Sequence, residues 1–294
     1  MQEITAELNP QDLATPEPAP REGPPRMLPL TFAAKTDMGR IRENNEDKFD
    51  FWEPEDPALL ANRGRLYAVA DGMGGHAAGQ IAAEMALKAV GAAYFARTAG
   101  LPADALSRAI AQANAQVFET ARAIPSRAGM GCTIVAVAIV DEQAIVAWAG
   151  DSRVYLVREG AASRVTQDHS WVAEQVALGM ITEEQAERSS YRNVITRSLG
   201  PQAGVTPDVV TLDLLPGDAL LLCSDGLTTV VKDAELPPAL AGVPPSFACQ
   251  ALIEIANDRG GPDNITAAIL RVSAPSDAAP TVDPPRRRKG LFGR

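Results

Sequence analysis

Short apolar runs that stand too close together for helices to join them constrain this fold most. Residues 133–157 hold three such runs, separated only by Asp141-Glu142-Gln143 and Gly150-Asp151-Ser152. Antiparallel strands can be joined by a turn of a few residues, whereas a parallel crossover needs roughly a dozen or more. The spacing therefore predicts three consecutive antiparallel strands.

Further apolar runs and three helical patterns complete the expected elements. The β-type runs lie at 66–70, 133–140, 144–149, 154–157, 219–223 and 265–272. Helices are predicted over 77–96, 103–123 and about 247–257. Strands in meanders, with helices grouped between them, indicate an α+β fold and not a repeating βαβ array.

The composition permits a large core and excludes several classes of protein. Of the 294 residues, 46% are apolar, and the formal net charge of −10 has the opposite sign from a general nucleic-acid binder. No apolar run approaches the roughly 18 residues that span a bilayer, and the chain begins without a signal-peptide pattern. The three separated cysteines fit a reducing compartment. We therefore expect a cytoplasmic protein with no nucleic-acid partner and no transmembrane segment.

The two ends of the chain are predicted to lie outside the folded domain. Residues 1–29 contain seven prolines and almost no apolar periodicity, so we expect a disordered leader. Residues 273–294 are rich in Pro, Ala and Asp and finish in a basic cluster, which predicts a flexible basic tail. One folded domain is expected over residues 30–272.

Aspartates stand at the ends of the apolar runs. Asp71 and Asp225 each follow a run and precede a glycine, and Asp263 comes just before the run at 265–272. Turn chemistry explains any single Asp-Gly pair. Several clustered carboxylates, however, repel one another unless a cation neutralises them. With only two histidines in the chain, such a site would be built mainly from oxygen ligands, which suit Mg²⁺ or Mn²⁺ and the activation of water for attack on a phosphate.

Seven short motifs run through the chain in a recognisable order. They are Arg42-x-x-Asn45-x-Asp47, Asp71-Gly72-Met73-Gly74-Gly75-His76, Gly131-x-Thr133, Gly150-Asp151-Ser152-Arg153, Asp168-His169-Ser170, Ser224-Asp225-Gly226-Leu227 and Asp263-Asn264. In order and approximate spacing the chain resembles the metal-dependent type 2C serine/threonine protein phosphatases of the bacterial type. The resemblance covers about residues 30–272, and seven motifs in order make it specific.

The resemblance implies both a fold and an activity. The fold would be a four-layer αββα sandwich, in which two antiparallel sheets are flanked by helices. The activity would be hydrolysis of phosphomonoesters on serine and threonine by direct attack of a metal-bridged hydroxide, without a cysteine nucleophile. The implied partners are Ser/Thr-phosphorylated proteins and a cognate Ser/Thr kinase, and the protein would act as a monomer.

The resemblance also implies a site with two Mg²⁺ or Mn²⁺ ions. Asp71 would bridge both ions, and Asp225 and Asp263 would complete the coordination of one. The Glu46/Asp47 pair and the Gly72 carbonyl would serve the other ion. The sequence leaves open whether Glu46 or Asp47 is the direct ligand and which holds a metal-bound water.

Four further residues take roles by the same resemblance. Asp151, together with Asp225, would hold a third, weaker ion. Arg42 matches the family's phosphate-binding arginine, because a planar guanidinium suits phosphoryl oxygens. His76 is a candidate proton donor to the leaving alkoxide, or else a residue that caps or packs at a helix start. His169 is expected to order its loop, and the following residues 171–200 resemble a flap beside the active site.

Parts of the sequence also suggest two other functions. Gly72-x-Gly74-x-x-Ala77 follows a strand and opens a helix, as a dinucleotide-binding fingerprint does. That fold needs a parallel return strand, but a second helix follows here, and Asp71 would repel a pyrophosphate. A non-catalytic phosphoprotein-binding scaffold is expected to lack metal carboxylates, whereas this chain keeps Asp47, Asp71, Asp225 and Asp263.

Overall fold

Two five-stranded antiparallel sheets form the centre of the computed structural model, which describes residues 28–74, 77–96 and 98–273. The strands are β1 (Leu30–Asp37), β2 (Lys48–Trp52), β3 (Arg65–Ala70), β4 (Gly72–Met73), β5 (Gly131–Cys132), β6 (Ile134–Val140), β7 (Gln143–Ala149), β8 (Arg153–Arg158), β9 (Ala161–Arg164), β10 (Asp208–Asp213), β11 (Ala219–Cys223) and β12 (Ile265–Val272). The first sheet has the order β1-β12-β11-β8-β9, and the second has the order β10-β7-β6-β3-β2. Strands β4 and β5 form a separate short pair.

Eight α-helices accompany the sheets in the described part of the chain. They are α1 (Pro57–Arg63), α2 (Ala77–Phe95), α3 (Pro102–Ala123), α4 (Trp171–Ala177), α5 (Glu183–Glu187), α6 (Asp225–Thr228), α7 (Leu236–Leu240) and α8 (Pro245–Asp258). The predicted helices correspond to α2, α3 and α8. None of these helices is long and apolar enough to cross a bilayer.

The alternation of side chains along the strands produces four layers. On β6, Val135 and Val137 pack between the two sheets, while Ile134 and Ala136 face the core shared with α2 and α3. On β11, Leu222 packs between the sheets and Leu221 faces the core shared with α8. Both faces of each central strand are therefore buried, as near-continuous apolar runs require. The predicted α+β sandwich, with two antiparallel sheets flanked by helices, is confirmed.

The connection from β7 to β8 differs from the sequence prediction. Strands β6 and β7 pair antiparallel as expected, but β8 belongs to the other sheet, where it pairs with β11 and β9. Residues 150–152 thus cross between the sheets instead of making a hairpin turn. Gly150 makes the crossing possible, because its φ of +127° is rarely adopted by other residues. A second short crossing, 214–218, joins β10 to β11 at the opposite end of the sandwich.

Two further expectations can be compared with the structure. The dinucleotide-binding alternative is wrong, because β3 pairs antiparallel with both of its neighbours, β2 and β6. Helix α5 begins with a capping box, in which Thr182 and Gln185 each accept a hydrogen bond from the other's backbone N–H. The predicted leader and tail fall almost entirely on residues 1–27 and 274–294, which lie outside the described residues.

Truncation of Leu222, in the layer between the two sheets, should be costly. Leu222 is fully buried, so Leu222→Ala should lower the free energy of unfolding by about 2–5 kcal/mol through lost burial and a residual cavity. Leu178, which is 71% exposed, provides the matched control, and Leu178→Ala should change that energy by less than about 0.5 kcal/mol. Urea titration followed by circular dichroism measures both, and equal losses would contradict the layer assignment.

Candidate active site

Two of the predicted acids lie side by side at one end of the second sheet. Lys48 at the start of β2 pairs with Ala70 at the end of β3. Asp47 therefore precedes one strand at the point where Asp71 follows its neighbour. After Asp71, Gly72 pairs with Cys132 in the short β4–β5 pair, and helix α2 begins at Ala77.

Three more acids lie at the corresponding end of the first sheet. Asp151 stands just before β8, Asp225 just after β11, and Asp263 just before β12. The last residue of β11 pairs with the first residue of β8, and β12 starts beside it in the same sheet. The crossing at 150–152 brings this end of the first sheet next to the end of the second sheet that carries Asp47 and Asp71. The five aspartates thus share one edge of the sandwich.

Asp71 lies at the centre of the acidic edge. Its backbone N–H donates to Thr133 Oγ1 (3.2 Å), and its carbonyl accepts from the Thr133 N–H (2.8 Å). Thr133 Oγ1 also lies 2.7 Å from Ser152 Oγ. Burial, followed by the negative charges of the surrounding aspartates, raises the pKa of Asp71 well above its usual range.

Asp47 is fully buried, and only half of its carboxyl group has hydrogen-bond partners. Its Oδ2 accepts from Ser224 Oγ (2.6 Å) and Thr266 Oγ1 (2.7 Å), while Oδ1 has no partner. Burial raises the pKa of Asp47 to about 7, against the lowering effect of these two hydroxyl donors. An unpaired buried carboxylate oxygen is costly unless a cation or a proton satisfies it.

Glu46 lies on the other side of the edge, against the first turn of α2. A Cβ atom built on Gly79 would come within 2.1 Å of Glu46 Oε2 and within 2.7 Å of the Gly72 carbonyl carbon, so a side chain there would require the backbone to shift. A Cβ on Gly72 would come within 2.3 Å of the Gly79 carbonyl oxygen and within 2.8 Å of the Glu46 carbonyl oxygen. Gly72 thus packs its backbone directly against both residues. This close approach requires the absence of side chains at the two glycines.

Asp151 repeats the pattern of Asp47. It is buried, its Oδ1 has no hydrogen-bond partner, and burial together with Asp225 raises its pKa to about 7. Asp225 has its own pKa raised to about 6, chiefly by burial and then by the charge of Asp263. Buried carboxyl groups that raise one another's pKa values are typical of functional sites.

Arg42 lies at the open rim of the acidic edge. Its Nη2 donates to Asp263 Oδ2 at 2.7 Å, and its side chain is 57% exposed. The Asp263 interaction, and more weakly Asp71 and Asp225, raise the pKa of the guanidinium. The group is thus held over the acids by one carboxylate while much of it stays accessible to an incoming anion.

Asn264 organises this rim through its amide group. Its Oδ1 accepts from the Glu46 backbone N–H (2.8 Å), and its Nδ2 donates to the Met38 and Asn44 carbonyls. The segment that carries Arg42 and Glu46 is thereby fastened to the start of β12. Asn264 belongs to the Asp263-Asn264 motif, but the sequence analysis assigned it no role. Its position next to the candidate ligand Asp263 was the sequence feature that pointed to it.

The remaining predicted residues have different outcomes. Every residue expected to hold metal lies at this edge: Glu46, Asp47, Asp71, Gly72, Asp151, Asp225 and Asp263. His76 lies outside the described residues, and its role stays a prediction. His169 contacts Gly150 on one side and Thr196 on the other, and its expected role in ordering the loop that follows it stays a prediction. The sequence analysis assigned no role to Ser224 or Thr266, whose hydroxyls reach Asp47 only because three strands distant in sequence meet here.

The donor set fits hard divalent cations. Asp47 Oδ1 and Asp151 Oδ1 are buried oxygens without partners, and the acids around them repel one another. In the described part of the chain, no three His, Cys, Asp or Glu side chains are arranged closely enough to form a metal-binding group. Burial and the charges of the surrounding acids raise the pKa values of Asp47, Asp71, Asp151 and Asp225, so protons or cations are needed to balance the charge of the cluster.

Comparisons with known proteins agree with this geometry. Residues 34–175 match the family model described as "Protein phosphatase 2C". The serine/threonine phosphatase stp of Listeria innocua is 36% identical over 241 residues, which span 80% of this chain and 93% of that protein. The solved serine/threonine phosphatase of S. agalactiae is 37% identical, with a TM-score of 0.75 over 83% of this chain and all of the other.

A third similar protein was solved with bound metal. The catalytic domain of the serine/threonine protein phosphatase PstP, in complex with two manganese ions, is 33% identical to this chain. The two superpose with a TM-score of 0.72 over 84% of this chain and 100% of that domain.

The raised pKa values predict how stability depends on pH. Asp47, Asp151 and Asp225 have pKa values of about 7, 7 and 6 in the folded protein, against 3.8 for an ordinary Asp. Their stabilising contribution is therefore complete below about pH 4 and is lost as the pH rises through about 6 to 7. Bound cations should replace the lost protons. We expect the melting temperature in EDTA to fall relative to that in Mn²⁺ as the pH rises from about 5 to 8.

Differential scanning fluorimetry in paired EDTA and Mn²⁺ buffers measures this difference. Because groups outside the acidic edge contribute equally to both buffers, the gap between the two melting temperatures isolates the cation-linked carboxyl groups. A gap that stays constant or narrows with rising pH would contradict the raised pKa values of these carboxyl groups.

Proposed function

The chain belongs to the protein phosphatase 2C family, and we propose that it hydrolyses phosphoserine and phosphothreonine esters in proteins at the acidic edge described above. The family is metal-dependent, and the chain is a serine/threonine protein phosphatase of this type. The observation that supports the site most strongly is the convergence of five aspartates, two of which have a buried carboxylate oxygen without a partner.

We propose that this edge holds two Mg²⁺ or Mn²⁺ ions. Asp71 would serve both ions, because the charges of Asp47, Asp225, Asp151 and Asp263 all act on its buried carboxyl group. Asp225 and Asp263 complete one ion, and the Glu46/Asp47 pair with the Gly72 carbonyl serves the other. Asp151, facing Asp225 from the sheet crossing, is the proposed ligand of a third, weaker ion.

The chemistry at the site divides between the ions and the side chains. When bound, the ions supply positive charge for the phosphoryl oxygens and lower the pKa of water, so that it can attack phosphorus at neutral pH. Arg42 binds the non-bridging oxygens, for which its exposed guanidinium is placed at the rim. The cysteines take no part as nucleophiles, because burial raises the pKa of Cys132, Cys223 and Cys249.

The wider setting follows from this reaction. A phosphatase for phosphoserine and phosphothreonine requires a Ser/Thr kinase that makes these esters, and we propose such a kinase as its counterpart. Three free, buried cysteines agree with a reducing compartment, so we place the protein in the cytoplasm, and we propose that it acts as a monomer. His76 is the proposed donor of the proton to the leaving alkoxide.

Removal of a proposed ligand should abolish turnover without unfolding the protein. We expect Asp71→Asn and Asp225→Asn each to lower Mn²⁺-dependent hydrolysis of p-nitrophenyl phosphate by at least about 100-fold. In EDTA both variants should melt at or above the wild-type temperature, because a neutral amide relieves repulsion. Asp104→Asn, at an exposed position on α3, is the matched control. Near-wild-type turnover in either ligand variant at saturating Mn²⁺ would refute the assignment.

Arg42 should affect substrate binding more than metal binding. We expect Arg42→Ala to raise KM for a phosphopeptide by about tenfold or more, because the guanidinium contacts phosphate and not the cations. The Mn²⁺ affinity from calorimetry should change much less. Arg108→Ala, at an exposed position on α3, controls for the loss of a surface charge. Lost Mn²⁺ binding with an unchanged KM would show that Arg42 has a different role.

A further inference from the structure

His169 occupies a buried position beside the sheet crossing and makes four directed contacts. Its exposed fraction is 7%. Its backbone N–H donates to the Gly150 carbonyl (2.9 Å), and its ring Nδ1 lies 3.1 Å from the Gly150 nitrogen. On the other side, ring Nε2 lies 3.2 Å from Asp208 Oδ2, and the His169 carbonyl accepts from the Thr196 N–H (2.9 Å).

These contacts define the tautomer of the ring. The Gly150 N–H is a donor, so Nδ1 must be the acceptor and carries no proton. The proton is therefore on Nε2, where it is donated to Asp208. The ring is also stacked on Trp148, with 6.0 Å between centroids and 9° between planes, which fixes its orientation. His169 is thus held neutral and in one orientation.

The ring and backbone of His169 together engage both backbone hydrogen-bonding groups of Gly150, its N–H and its carbonyl. Gly150 has a φ of +127°, and a Cβ atom there would lie 2.4 Å from the Thr133 side chain, so a residue with a side chain does not fit at this position. Asp151 follows immediately, and its Oδ1 has no hydrogen-bond partner. The placement of the Asp151 carboxyl group therefore relies on the backbone before it, to which His169 contributes two contacts.

The same histidine ties the turn to the adjacent part of the chain. Asp208 begins β10 and accepts a hydrogen bond from Arg197 Nη1 (2.5 Å). Asp208, Arg197 and Thr196 line one cavity of about 450 Å³. His169 therefore connects this wall to the start of β8, where Asp151 lies.

We propose that His169 is a positioning residue for Asp151, which it sets by accepting the Gly150 N–H with its unprotonated Nδ1. It touches no reacting atom. The inference rests on the proposed function, because its effect is on cation binding by Asp151 together with Asp225. Of its two ring contacts, the one with Gly150 determines the position of Asp151, and the one with Asp208 keeps the ring in the required tautomer.

Two substitutions at this position separate the ring contacts. The amide oxygen of His169→Asn can occupy the place of Nδ1 and accept from Gly150, whereas His169→Gln reaches the place of Nε2 and can bond only Asp208. Calorimetry with Mn²⁺ should show the weakest binding step reduced by roughly fivefold in the Gln variant, the equivalent of one hydrogen bond. In the Asn variant this step should recover to within about twofold of the wild type. The tighter steps and KM for p-nitrophenyl phosphate should change little in either variant.

The outcomes distinguish this role from a purely structural one. Equal weakening in the Asn and Gln variants, or weakening of every Mn²⁺ step alike, would overturn the proposal, because a general loss of packing does not discriminate between the two amides. If the Gln variant fails to fold, His169→Ala takes its place and must weaken the same single step. The wild-type protein is measured first. Absence of Mn²⁺ binding and turnover there would refute the proposed function itself.

Discussion

The repulsion between carboxyl groups gathered at one edge of the sandwich is the constraint on which the structure depends. Asp47, Asp71, Asp151 and Asp225 all have raised pKa values, with burial as the largest cause and neighbouring negative charge contributing to each. A flexible chain would relieve this repulsion by moving the acids apart. The fold prevents such movement, because each acid lies at the end of a strand that is paired with its neighbours in one of the two sheets.

Rigidity at the acidic edge comes from polar contacts that cross between elements. Ser224 and Thr266 hold one oxygen of Asp47, Thr133 holds the backbone of Asp71, and Asn264 fastens the Glu46 segment to β12. None of these partners neutralises the negative charge. They fix the direction of each side chain and leave the charge to be balanced by protons or cations, which is the arrangement a metal-dependent hydrolase needs.

The sequence predicted the acids better than it predicted their supports. Asp71, Asp225 and Asp263 flank uniformly apolar runs, and such runs become central strands whose ends are easily located. The hydrogen bonds to Asp47 depend on how β2 in one sheet is placed against β11 and β12 in the other. These strands are far apart in the chain, so the local sequence does not indicate the contacts. Strands β1, β2, β9 and β10 were missed because they lie at the sheet edges, and half-exposed edge strands carry mixed polar and apolar residues.

The crossing at 150–152 was misjudged for a related reason. A turn that contains Gly, Asp and Ser suits a hairpin as well as a step into another sheet. The choice is made by the long-range partners of β8, namely β11 in the same sheet, and by the contact of Gly150 with Thr133. Local composition contains neither piece of information.

The two short connections between the sheets limit how the molecule can deform. Residues 150–152 join the sheets beside the acids, and residues 214–218 join them at the opposite end. Links of three and five residues are short, so a large sliding or rotation of one sheet past the other would require local unfolding. We therefore expect small ions and phosphate to enter and leave through movements of side chains and surface segments, with little change in the spacing between the layers.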